Sequence, residues 1–257
     1  MDYILEKIKS AKIIEKPFPH IIIPNFLEEN DIENILDNIE IDNLNEIDKK
    51  YNKVVYPGAK STEEELTKRP TGVGLVYALK EDYHKKNIKL NKILNSEDFK
   101  NVLFKKLNIP INIDGWNVFQ INKDLNGYEI SPHPDITGKV ITYQINLSNT
   151  DNLDNYDLST KFHIIKPECF KYINALSKKN KRPWGKWEWF DKGKSIPYKQ
   201  NTFMAFAPSD ISYHSVKLEN YPQEKCQRTM LRGFIADTRL LNKKEKKHWT
   251  SGNLVNI

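Results

Sequence analysis

Apolar positions recur at helical spacing in the first part of the chain, and the pattern turns to alternation from Ile111 onward. Ile4, Ile8 and Ala11 predict a helix within residues 1–16, ended by Pro17 and Pro19. His20 to Pro24 reads as a short buried strand. Phe26-Leu27 then leads into a second helix, with Asn30 or Asp31 as N-cap and Ile32, Ile35 and Leu36 on its apolar face. Residues 41–70 are polar and irregular and predict a long loop. Thr71 to Leu79 reads as a strand with two glycines. A helical stretch over Lys86–Lys106 carries Ile88, Leu90, Ile93, Leu94, Phe99, Val102 and Leu103.

The later pattern is one of strands. Trp116–Asn122 and Tyr128–Ser131 are predicted first, and Lys139–Leu147 alternates most clearly. Val140, Thr142, Gln144 and Asn146 point one way; Ile141, Tyr143, Ile145 and Leu147 point the other. Residues 149–157 are loop, Phe162–Ile165 is short and extended, and Glu168–Ser177 is a helical turn. Thr202–Ala207, Tyr213–Leu218 and Arg228–Asp237 complete the strands. No repeat or linker interrupts the chain, so a single α+β domain is expected across residues 1–257. Residues 1–110 form its helical support, 111–240 its β-rich core, and 241–257 a C-terminal tail.

Composition narrows the function classes. The 257 residues are enough for one sizeable core, and 39% hydrophobic with 11% aromatic residues fits a globular fold rather than disorder. The apolar runs are too short to span a bilayer, and the first residues lack the apolar stretch of a secretory signal. Cys169 and Cys226 form no CxxC pair, so a reducing, cytoplasmic compartment is expected. The net charge of +6 comes from lysines scattered among Asn and Ile, which reads as a solvated surface rather than a polyanion site. The cluster Lys243–Lys247 reads the same way.

Ser131-Pro132-His133-Pro134-Asp135 carries the chemistry. A His and an Asp two apart in extended chain face the same side, so an imidazole nitrogen and a carboxylate oxygen can meet one metal ion. The flanking prolines restrict the backbone. Much later His214 follows a strand and a Pro-Ser-Asp turn, and a strand with Arg228 and Arg232 comes after it. Two His and one carboxylate on one face of an ion leave positions open, the arrangement suited to Fe(II) oxygen chemistry.

In these segments the sequence resembles the 2-oxoglutarate/Fe(II)-dependent oxygenase superfamily. The matching pieces are HPD at 133–135, the TYQINLS strand, FMAFAPSDISYHSV, a basic residue on the last strand, and PFPHIIIPNFL at 17–27. The resemblance implies a double-stranded β-helix, or jelly roll, with packed N-terminal helices. It implies Fe(II) held by His133, Asp135 and His214, with 2-oxoglutarate as cosubstrate and O2 as oxidant. It implies an arginine for the far carboxylate of 2-oxoglutarate, for which a planar guanidinium is suited. Arg228, at the start of its strand, is preferred, with Arg232 in reserve. Arg228 lies 14 residues after His214, farther than is common in that superfamily. Thr142 and Tyr143 are the candidate polar helpers, and opposite faces allow only one of them.

The expected activity is hydroxylation of a small molecule or a peptidyl side chain. Oxidation or demethylation of nucleic acid is an alternative that needs a basic groove. A non-catalytic 2-oxoglutarate-binding module and a cupin-like metal site are weaker readings. The set of ligands is intact, and no second HxH pair is present. His163 reads as a sheet histidine and His20 as structural, while His84 and His248 read as surface residues. Trp184, Trp187 and Trp189 read as core and loop packing or as a substrate lid.

Overall fold

A computed structural model of the chain describes residues 2–37, 74–76, 88–124, 128–135, 138–148, 156–177, 184–219 and 228–240. The expected loop at 41–70, the tail at 241–257, Cys226, His84, His248 and Lys243–Lys247 lie outside the described residues.

The architecture is mixed α/β with two antiparallel sheets. The strands are β1 (His20–Ile23), β2 (Gly74–Val76), β3 (Gly115–Asp124), β4 (Glu129–His133), β5 (Lys139–Asn146), β6 (Thr160–Ile165), β7 (Phe190–Ile196), β8 (Phe203–Phe206), β9 (His214–Lys217) and β10 (Arg228–Asp237). A six-stranded sheet has the order β1-β8-β5-β10-β3-β2, and a four-stranded sheet the order β4-β9-β6-β7. The helices are α1 (Asp2–Ser10), α2 (Glu29–Asp37), α3 (Ile88–Leu94), α4 (Glu97–Lys106) and α5 (Phe170–Ser177).

Each face of the larger sheet has its own core. Ile4 and Ile8 of α1, Ile32 and Ile35 of α2, Leu94 of α3, and Phe99 and Leu103 of α4 pack on Ile141, Tyr143, Ile145, Phe203 and Ile235 of the sheet. The other face meets the smaller sheet: Met204 and Phe206 join Phe162 and Ile196, and Met230 joins Ile130 and Val216. The alternation along β5 follows from this. Ile141, Tyr143 and Ile145 lie among the helices, so Thr142, Gln144 and Asn146 face the space between the sheets.

Three local features differ from the sequence expectation. Helix α1 stops at Ser10, because Ile14 and His20 exchange backbone hydrogen bonds and draw residues 11–16 out of the helix. The expected helix at 86–106 is two helices, since Ser96 caps α4 by accepting a hydrogen bond from the Phe99 N–H at 3.1 Å. Strand β7 falls in a stretch to which the sequence pattern assigned no element. Among the described residues it is an edge strand paired with β6 alone, buried at Phe190 and Ile196 and polar between them, so its sequence lacks alternation. Gly193 permits this pairing, since a Cβ there would lie 1.9 Å from the Phe162 carbonyl oxygen. No described helix is long and apolar enough to cross a membrane.

Candidate metal centre

Two strands of the smaller sheet bring the histidines together. β4 and β9 are antiparallel neighbours, and His133 is registered directly opposite His214. The rings lie 4.4 Å apart between centroids. Strand β4 ends at His133, so Asp135 sits in the loop that follows and not on the strand. One ligand atom from each of His133, Asp135 and His214 falls within 4.8 Å of the others, and His214 Nε2 is 3.8 Å from Asp135 Oδ2. Among the described residues no other group of three His, Cys, Asp or Glu side chains converges in this way.

Both imidazoles are aimed by the same device. His133 Nδ1 meets the Ser131 carbonyl at 2.9 Å, and His214 Nδ1 meets the Ser212 carbonyl at 3.0 Å. A carbonyl accepts only, so Nδ1 carries the proton and the Nε2 lone pair is left for the cluster. Burial pushes the His133 imidazole down to about 3, and the neighbouring His214 adds to the shift. Burial also lowers His214. Burial alone would raise the Asp135 carboxyl, but Lys139, His214 and His133 together hold it well below the usual carboxylate range. The set therefore presents two neutral imidazoles and one carboxylate, the protonation states that metal ligation requires.

Asp135 is held from two sides. Lys139 Nζ donates to Oδ1 at 2.7 Å, and Thr142 Oγ1 donates to Oδ2 at 2.6 Å. Thr142 is thus the strand residue that reaches the cluster. Tyr143 does not: it is buried on the helix side, donating to Asn117 Oδ1 at 3.0 Å, which removes it from the candidate cosubstrate contacts. Lys139 was not singled out from the sequence. Its one signal is spacing, four residues after Asp135.

The two arginines occupy different depths. Arg228 is wholly buried, and its guanidinium donates to the Leu158 carbonyl at 2.8 Å, to Thr160 Oγ1 at 3.1 Å and to Asp124 Oδ2. Arg232 is 25% exposed; it donates to the Tyr128 hydroxyl at 3.0 Å and also to Asp124 Oδ2. Arg232 is the one whose charge bears on His214. The preference for Arg228 rested on its place at the start of the strand; the structure buries it completely, and Arg232 is the more exposed of the two.

Trp184 stacks on His133 at 4.7 Å and 17°, yet is 43% exposed. The Gly185 N–H donates to the Pro132 carbonyl at 2.8 Å, and Trp187 Nε1 donates to Glu129 Oε1 at 3.2 Å, so this segment straps β4. His163 is paired with Ser215 Oγ at 2.7 Å and stays outside the cluster.

No protein-family model matches the chain, and no curated protein matches it. Solved structures do. A prolyl hydroxylase from Trichoplax adhaerens, in complex with a hypoxia inducible factor oxygen degradation domain peptide fragment, aligns with a TM-score of 0.52 at 13% identity. The alignment covers 93% of this chain and 89% of that one. The chain is similar in fold to prolyl hydroxylases. A prolyl 4-hydroxylase from Phytophthora capsici (TM-score 0.48, 11% identity, 98% of this chain and 73% of that one) and one from Pseudomonas putida (0.46, 8%, 91% and 97%) also align. At such identities the likeness to prolyl hydroxylases is one of fold.

Proposed function

We propose that this chain is an Fe(II)- and 2-oxoglutarate-dependent oxygenase acting on a peptidyl side chain or a small molecule. The observation that carries the proposal is the convergence of His133, Asp135 and His214, their protonation states already suited to a divalent ion. The two facing sheets are read as the double-stranded β-helix of residues 111–240, within one oxygenase domain. The prolyl hydroxylase fold supports that reading, and the peptide bound in the Trichoplax structure supports a peptidyl substrate.

The residues fit the group they would hold. His133 and His214 would give Nε2 and Asp135 one oxygen, leaving open positions for cosubstrate and O2. Bound there, Fe(II) would supply oxidative decarboxylation of 2-oxoglutarate to succinate and oxygen insertion into a substrate C–H bond. The chain's own part is orientation and dryness. Thr142 and Lys139 keep the Asp135 carboxylate fixed and ionised. Arg232, backed by Arg228, would receive the far carboxylate of the cosubstrate through charge-assisted hydrogen bonds. Phe206 packs edge-on against His214 at 5.0 Å, and Trp184 stacks on His133, so both imidazoles are partly shielded from water.

Anaerobic loading with Fe(II) followed by 2-oxoglutarate tests the reading. We expect a visible metal-to-ligand absorption band, then succinate on admitting O2. A protein that binds Fe(II) without the band, and forms no succinate with peptide or small-molecule substrates, would refute it. The band without succinate would point to a binding module instead.

A further inference from the structure

We infer that Asp124 is a positioning residue for the cosubstrate, clamping Arg232 in the pose that takes the far carboxylate. The inference rests on the oxygenase reading above. Asp124 closes strand β3 and is registered opposite Arg228 on β10. It is wholly buried, and its Oδ2 accepts from both arginines. Arg228 cannot move, because the Leu158 carbonyl and Thr160 Oγ1 hold the rest of its guanidinium. Through Asp124, that immobility passes to Arg232, whose other nitrogen is held by the buried Tyr128 hydroxyl.

Two consequences follow. A quarter-exposed arginine would otherwise sample many rotamers and lose that freedom on binding, so the clamp prepays the ordering. Two guanidiniums also share one carboxylate, which leaves one positive charge among these three groups. That charge matches a single far carboxylate. Without Asp124 the two like charges repel, and Arg232, the only one of the pair with solvent access, turns outward. A neutral amide of the same shape keeps the volume and loses the clamp.

The test compares two keto acids on Mn(II)-loaded protein by titration calorimetry without O2. 2-Oxoglutarate carries the far carboxylate; 2-oxobutanoate offers the same chelating end without it. Asp124→Asn is expected to weaken 2-oxoglutarate binding by roughly tenfold or more, and to leave 2-oxobutanoate within about twofold. Tyr128→Phe removes the second restraint while sparing the buried ion pair, and is expected to show the same selective loss at a smaller size. It decides the matter if Asp124→Asn does not fold. Equal losses for both ligands, or no loss for either, would overturn the clamp. Wild-type protein that holds Mn(II) but binds neither keto acid would overturn the oxygenase reading, and the clamp with it.

Discussion

Replacing Thr142 with valine removes one hydrogen bond from Asp135 and leaves the rest of strand β5 in place. The bond is 2.6 Å from hydroxyl to carboxylate, in the range of charge-assisted pairs. Such bonds contribute about 1.5–3 kcal/mol. Lys139 still holds the other oxygen, so the lower end applies, about 1.5–2 kcal/mol. That corresponds to a roughly 10–30-fold loss of metal affinity, within the span seen when supporting partners of metal ligands are removed. The assay is Co(II) or Mn(II) titration in competition with a chelator of known affinity. Tyr143→Phe is the internal control. Its hydroxyl lies one residue along the same strand but bonds Asn117 among the helices. It should lower stability by about 1 kcal/mol in urea and leave metal affinity alone. Thr142→Val with wild-type metal affinity, or Tyr143→Phe with weakened affinity, would refute the assignment of faces.

Three further outcomes are expected. Gly233→Ala would place a methyl 2.2 Å from the Tyr143 ring, so it should destabilise by about 1–3 kcal/mol through overpacking, read as a lowered melting temperature. Arg228→Met should cost about 1–3 kcal/mol by leaving the buried Leu158 carbonyl and Thr160 hydroxyl without their donor and Asp124 with Arg232 alone, while Arg232→Ala should cost less stability and weaken 2-oxoglutarate binding more; the reverse pattern in melting and calorimetry returns the carboxylate to Arg228. Burial pushes His163 from 6.5 down to about 4, so the unfolded chain binds its proton more tightly than the folded one. Stability from this group is present above about 6.5 and lost as pH falls toward about 4, by at most about 3 kcal/mol, and His163→Gln should flatten that part of the urea-midpoint profile.

Strand β5 shows what alternation makes legible. Its two faces could be read from Ile141 to Leu147 because one face meets helices and the other a polar interior; Val140, expected beside Thr142, instead packs with the helix-side core next to a register shift in the β5–β10 pairing. The same logic failed for β7, whose edge position demands no buried face along Asp191–Ser195. The candidate metal ligands were legible as a pattern: His133 and Asp135 are two apart, and His214 follows a turn and opens a strand. Tyr143 and Thr142 could not be separated until it was known which side the helices cover.

The sequence by itself determined the order of most elements, the two faces of strand β5 from Ile141 onward, and a His-x-Asp and later His pattern as the candidate ligand set. These depend on local spacing, which backbone geometry converts directly into direction. Only the tertiary structure decided the rest. The pairing of β4 with β9 sets His133 against His214 across 81 residues of chain. The hydrogen bonds from Arg228 to Leu158 and Thr160 hold it buried, while Arg232 keeps a quarter of its side chain exposed. Depth of burial is set by what lies on top, and nothing in the spacing of two arginines on one strand records that.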